Sequence, residues 1–244
     1  MKKIIFISFL FFLFCNLSSQ NLTLGPKIGL NVGSPLPIGG EIPKGAKGSP
    51  LLCHNLGVFF NYKFNEDFSF QTEVVFSRKG AKFSTPIDSM PYTDHMQHPL
   101  LPDVWLDIET FFNGFAEGAF DNYYLEIPAI LVYKIGQSKW SVMGGAYYGW
   151  LSNTETHAIA IGRAGYDPKI MKEVLDFAEN TRTYDYGLLM GTSYKVSKKI
   201  SVNLRITYGL KSVFVDNYSK IDYKLHNTFA EFSASYSFNT EKWF

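Results

Sequence analysis

The sequence predicts an all-β fold: an eight-stranded, antiparallel, up-and-down barrel that spans a membrane, with a short helix in one outward loop. Three observations predict it. Eight stretches alternate apolar and polar residues with period two, which is the signature of a strand with two different faces. Their connections run alternately short and long. The first twenty residues have the layout of a secretory signal, with Lys2 and Lys3, an apolar run from Ile4 to Phe14, then Ser18 and Ser19.

The predicted strands, in order, cover residues 25–33, 54–64, 68–83, 122–135, 140–156, 183–196, 200–214 and 226–238. The fourth is the clearest. Leu125, Ile127, Ala129, Leu131, Tyr133 and Ile135 fall on one face, with Tyr124, Glu126 and Lys134 on the other. The seventh sets Ile200, Val202, Leu204 and Ile206 against Ser201, Asn203, Arg205 and Thr207. Tight turns are expected at Asn65, Gly136 and Ser197. Each follows a lysine by a few residues, Lys63, Lys134 and Lys195, a weak repeat that reads as ordinary snorkelling at an interface. Long loops are expected over 34–52, 84–121 and 153–182. In the last, Asp167 as cap and Pro168 in the first turn open a predicted helix over 168–179. Its Ile170, Met171, Val174, Leu175 and Ala178 share about one face.

Alternation alone leaves open which face points outward. Three features favour the membrane arrangement, with apolar side chains outside. Charged residues make up 18% of the chain, below the roughly 25% of soluble domains. The polar faces are Gly, Ser and Asn with one or two charges each. Aromatic residues such as Phe64, Phe68, Tyr133, Trp140, Trp150, Tyr184 and Tyr194 sit near strand ends, where girdles form. Lys27, Glu73, Glu126, Arg205 and Glu231 then point into an interior just wide enough for side chains, where isolated charges are costly, so they are expected to pair as a plug. Pro128 breaks the hydrogen-bond ladder of the fourth strand, through either a bulge or kink or a tolerated gap.

Composition bounds partners and chemistry. Without the signal over residues 1–20, the single barrel domain of 21–244 carries 21 basic and 22 acidic residues, so no polycationic surface serves nucleic acid. Cys15 would leave with the signal, and Cys53 alone cannot form an internal disulfide. No phosphate loop, CxxC, HExxH or GxSxG pattern is present; neither a cofactor nor a metal is expected. His95, His98 and Asp94 cluster in the second long loop and are the candidates for a rim hydrolase.

The chain resembles the PorT-like outer-membrane β-barrel family of Gram-negative bacteria. The resemblance is carried by Gly25, Lys27, Gly29 and Asn31, by Gly57 with Phe60, by Glu73, Ser77, Lys79 and Gly80, and by the YLEIP run, Tyr124–Pro128. It implies an outer-membrane barrel with both termini in the periplasm, and one branch of the family looks like an accessory of a protein secretion machine. The long loops over 84–121 and 153–182 depart from the compact family pattern. The expected function is that of a non-enzymatic, plugged barrel, embedded in outer-membrane lipid, whose outward loops bind a partner protein or ligand. The alternatives are a narrow channel for small solutes or the rim hydrolase.

Overall fold

The computed structural model describes residues 21–98, 100–165, 169–218, 221 and 223–239. The expected signal peptide and Cys15 lie outside them, as do Asp167 and Pro168 at the start of the expected helix. Ten strands form one antiparallel sheet: β1 (Leu22–Ile38), β2 (Lys47–Lys63), β3 (Phe68–His98), β4 (Leu101–Lys134), β5 (Trp140–Ala164), β6 (Met171–Leu175), β7 (Tyr184–Lys195), β8 (Ile200–Ser212), β9 (Lys224–Tyr236) and β10 (Phe238–Asn239). Eight of them make a ring in the order β1, β2, β3, β4, β5, β7, β8, β9, closed where Lys27 through Ile38 of β1 pair with Ser235 through Lys224 of β9. Closure leaves no unpaired edge at membrane depth, which hydrocarbon requires. Two short strands add to it, β6 on β5 and β10 on β1.

The tight turns rest on specific side chains. Asn65 accepts hydrogen bonds from the backbone N–H groups of Asp67 and Phe68 at 2.9 and 2.7 Å. Ser197 does the same for Lys199 and Ile200, and Gly136 takes a φ of +52° that only glycine adopts without strain. All three turns lie at one end of the ring. Both described chain ends lie there too, because Leu22 pairs with Tyr62 and Thr23 with Asn239.

The apolar faces point outward. Ile28, Leu56, Leu131, Leu188, Met190 and Phe232 are among many large apolar residues exposed on the ring's exterior, while Lys27, Asn55, Glu73 and Arg205 are buried within. Aromatic pairs mark both margins of that exterior: Phe68 with Tyr133 and Trp140 with Tyr194 at the turn end, Tyr148 with Trp150 and Tyr184 at the other.

The expected long loops are corrected by the structure, because most of their length continues as strand. β3 and β4 run on together from Ala81 and Phe120 to His98 and Leu101, well past the ring. Pro86 and Pro91, which suggested a loop, pair with Phe115 and Phe111 there. Above Ser84 no β2 residue pairs with β3, so that edge is open and a missing N–H leaves no ladder partner stranded. A bulge interrupts this hairpin between Ile87 and Met90, where Ser89 has a φ of +53°. The first expected loop, over 34–52, is likewise mostly strand: β1 continues to Ile38 along β9 and β2 starts at Lys47 along β3, the two parting from each other beyond Gly33 and Leu51.

The expected helix over 168–179 is also corrected. Its described part forms β6 and a short 3-10 turn, Ala178–Asn180. β5 continues to Ala164 and offers backbone groups over Ala158–Gly162, and pairing with them replaces a helix too short to be stable by itself. The apolar stripe proposed for that helix is not buried, since Ile170 and Val174 are exposed.

Candidate functional site: the charged interior and the projecting arm

The interior is built by the polar face of the alternation. β1 supplies Lys27, β3 Glu73, β8 Arg205 and β9 Glu231, and period two turns each of them inward. Arg205 reaches across the ring and grips Glu73 with both terminal nitrogens, Nη2 to Oε1 at 2.6 Å and Nη1 to Oε2 at 2.9 Å. Lys27 Nζ lies 2.7 Å from Glu73 Oε2 and 2.7 Å from Glu231 Oε1. Gln71 donates to Glu73 Oε1 at 2.6 Å and Ser233 to Glu231 Oε1 at 2.8 Å, so each carboxylate also accepts from a neutral donor. Two cations and two carboxylates therefore close on one another across the lumen. Such a set tolerates burial, whereas any member alone would not.

A second cluster sits beside it. Lys79 pairs with Glu126 and lies over the ring of Tyr147, 4.5 Å from its centre. Tyr147 donates its hydroxyl to Asp185 at 2.8 Å, and Asn227 donates to the same oxygen at 2.9 Å. Glu126 thus pairs with Lys79 and not with the four-charge set. Sequence reasoning missed Asp185, Tyr147 and Asn227. Asp185 sits on the inward-facing parity of β7, in register with Gly149 and two residues before Gly187, and that parity was the available signal.

Pro128 is resolved as a gap. β3 and β4 keep one register on both sides of it, Thr72 with Ala129 and Val75 with Glu126, and pairing lapses only between them. The Thr72 hydroxyl donates to the Pro128 carbonyl at 2.9 Å.

An aromatic cluster covers the end of the interior away from the turns. Phe177, in the β6–β7 connection, packs against Phe83, Phe214 and Tyr218, with Phe120 next to Phe83. Burial pushes the Tyr218 hydroxyl up to about 12. Arg182 anchors the neighbouring β8–β9 loop by donating to the carbonyls of Ser212 and Phe214 and to Asp216 at 2.8 Å.

Beyond the cluster, the β3–β4 hairpin forms a projecting arm, flanked for part of its length by β5 and β6. Its inner side buries Phe112, Ala116 and Phe120 with Ala158 and Ala160. Above Phe112 the arm is a two-stranded ribbon whose two edges pair with no other strand among the described residues. Val104, Trp105, Leu106, Ile108 and Phe111 are exposed on it. Four acids, Asp94, Asp103, Asp107 and Glu109, lie in this ribbon, with Asp88 in the bulge just below it, and no Lys or Arg occurs between Lys82 and Lys134.

His95, His98 and Asp94 lie near the ribbon tip but do not converge. His95 Nδ1 is 2.5 Å from Asp107, its partner in the register, and both side chains are exposed. Asp94 opposes Ile108, and His98, an odd number of residues from His95, projects to the other face and accepts a hydrogen bond from the Leu100 N–H. Among the described residues, no group of three or more His, Cys, Asp or Glu is arranged to hold a metal.

A closed antiparallel ring with apolar side chains outside, aromatic margins and compensated charge inside is the architecture of an outer-membrane β-barrel. The family model of the outer membrane protein beta-barrel domain matches residues 18–215, and the chain belongs to that family. Similar solved structures include Ail, the attachment invasion locus protein of Yersinia pestis, in complex with the heparin analogue sucrose octasulfate (15% identity, covering 89% of this chain and 99% of that one, TM-score 0.41). Neisserial surface protein A is another (13% identity, 91% and 98% coverage, TM-score 0.38), as is outer membrane protein W of E. coli (12% identity, 88% and 97% coverage, TM-score 0.33). No curated protein matches the chain.

Proposed function

We propose that this barrel is a plugged, non-enzymatic anchor that holds an acidic, aromatic ribbon outside the cell to bind a partner protein or ligand. The observation that carries the reading is the ribbon above Phe112, with two open edges and exposed apolar side chains on both faces, Val104, Leu106 and Ile108 on one and Trp105 and Phe111 on the other. A two-stranded hairpin alone is marginally stable in water, and contiguous exposed apolar surface usually marks an interaction site. The tight turns and both chain ends then belong to the periplasm, and residues 1–20 act as an export signal. Kinship to the PorT-like branch rests on the motifs quoted above, of which Lys27, Glu73, Lys79 and Tyr124 are buried in the interior.

The test is a photo-crosslinking residue at Trp105 in intact cells, compared with one at Lys82 at the arm's base. A discrete adduct at 105 that competes with unlabelled protein is expected; none at 105, or equal yield at both positions, sinks the reading. Replacing residues 88–113 by Asn-Gly joins the register partners Ile87 and Gly114 through a two-residue turn. That variant keeps the heat-modifiable shift of a folded barrel and, added as unlabelled competitor, does not reduce the adduct at 105. Conduction finds less support, because the four-charge set closes across the lumen. Silent planar-bilayer recordings are expected, and stepwise conductance would restore the channel.

A further inference from the structure

The three lysines of the weak sequence repeat are not placed as lipid-facing snorkels. Lys63 continues the inward parity of Cys53, Asn55 and Phe59 on β2; Lys134 continues that of Tyr124 and Ile130 on β4; Lys195 continues that of Asp185 and Leu189 on β7. Each is the last residue of its strand before a tight turn. β2, β4 and β7 are alternate members of the ring. Neighbouring strands lie about 4.8 Å apart, so the three backbones are spaced by roughly 10 Å and long side chains can converge over the mouth.

Among the described residues none of the three forms an ion pair, in contrast to Lys27, Lys79 and Arg205 deeper inside. Lys195 lies within electrostatic reach of both Lys63 and Lys134. Lys63 and Lys134 line a cleft of about 390 Å³ with Asn21, Asn65 and a single carboxylate, Glu66. Lys139, Lys198 and Lys199 in the turns add positive charge at this end, against Glu66 and Asp67.

We infer that the turn-side mouth of the barrel is a binding site for a compact phosphate-class anion, held by Lys63, Lys134 and Lys195. Ammonium groups are point-charge partners for phosphate, and Asn21 and Asn65 supply amides that donate at the cleft wall. The inference is independent of the outward ribbon.

Pyrophosphate titrated into the protein in phosphatidylcholine nanodiscs tests it by calorimetry. Saturable binding is expected. Each of Lys63→Gln, Lys134→Gln and Lys195→Gln weakens it roughly two- to fivefold, as expected for an exposed ionic contact, and the triple variant by more than about tenfold. Lys198→Gln removes the same charge from a turn and leaves it within about twofold. A headgroup source would show instead as phosphatidylglycerol retained over phosphatidylcholine in native mass spectrometry, lost in the triple variant. Absence of both, or equal weakening by Lys198→Gln and Lys134→Gln, overturns the site. The heat-modifiable shift of each variant separates lost binding from lost folding.

Discussion

β4 crosses two environments with one alternation, and the two halves use opposite chemistry. Below Asn122 its inward residues are Tyr124, Glu126 and Lys134 and its outward ones Leu125, Ile127, Leu131 and Tyr133. Above Asn122 the inward positions are Phe120, Ala116 and Phe112, while the outward face mixes Glu117 and Asn113 with Phe115 and Phe111. The strand geometry is continuous; the solvent changes. Where lipid covers the outside, apolar groups belong there and the inside must balance its charges. Where water covers the outside, the apolar groups move within and the outer face accepts acid. Stability should therefore depend on charge pairing in the lower half and on apolar contact in the upper.

The sharpest break in that contrast is Arg205→Met. It leaves the buried Glu73 and Glu231 with Lys27 as their only cation in the set, and removing one partner of a buried charged set costs about 3–5 kcal/mol. Urea unfolding followed by the heat-modifiable shift reads the loss, and adding Glu73→Gln recovers part of it. On the arm, Glu117→Ala should stay within about 0.5 kcal/mol, because that carboxylate is exposed. Equal effects at the two sites would erase the distinction.

Phe112→Ala addresses the upper half. Phe112 is 2% exposed and packs with Tyr92, so its truncation should cost about 3 kcal/mol. The cost is expected locally, as faster amide exchange along 85–98 and 101–111, with the barrel's unfolding midpoint unchanged. A shifted midpoint would show arm and ring to be one cooperative unit.

The same contrast explains what was legible in the sequence. Strand identity was legible wherever one face meets lipid and the other the lumen, since period two is then enforced on both sides, as over 122–135 and 200–214. In the arm the enforcement weakens. Pro86 and Pro91 sit where a strand edge is open, and Gly114, Ala116 and Gly118 replace large inward residues, so the segment reads as loop. The 168–179 segment has helical spacing, but β-pairing to the extension of β5 was invisible without knowing that β5 continued. Lys27, Glu73, Glu126, Arg205 and Glu231 were found by parity. Lys79 falls on the polar parity of the third strand but was not counted with the interior charges, and Asp185 escaped notice because its partners, Tyr147 and Asn227, come from strands remote in sequence.

Phe177→Ala tests the boundary between the halves. Its ring contacts Phe83, Phe214 and Tyr218 at 5.8 to 6.4 Å between centres, and it is only half-buried. Losing these contacts should cost about 1–2 kcal/mol. Tyr218 reports the change independently, because burial holds its hydroxyl up at about 12 and opening the cluster should move its ultraviolet titration toward the ordinary value. A Tyr218 titration unaltered by the substitution would mean that Phe177 does not cover it.

The smallest effect concerns a charge pair in water, at the loop beside that cluster. Arg182 donates to Asp216 and holds its carboxyl below the ordinary 3.8. A carboxyl with a depressed folded value favours the folded loop in its ionised form, so the tether is complete well above pH 3.8 and fades as pH falls through the lower folded value. The Arg182 N–H donates to the Val213 carbonyl at 2.7 Å and the Val215 N–H to the Asn180 carbonyl at 2.9 Å. Protection of these two amides should drop on acidification relative to Ile130, which lies in the wall between paired strands. Asp216→Asn should remove the pH dependence, leaving protection low throughout. Because Asp216 is exposed, the drop should be slight and shrink in high salt, in contrast to the salt-insensitive loss expected from Arg205→Met. The same pH profile in Asp216→Asn and wild type would assign the loop's order to the apolar cluster alone.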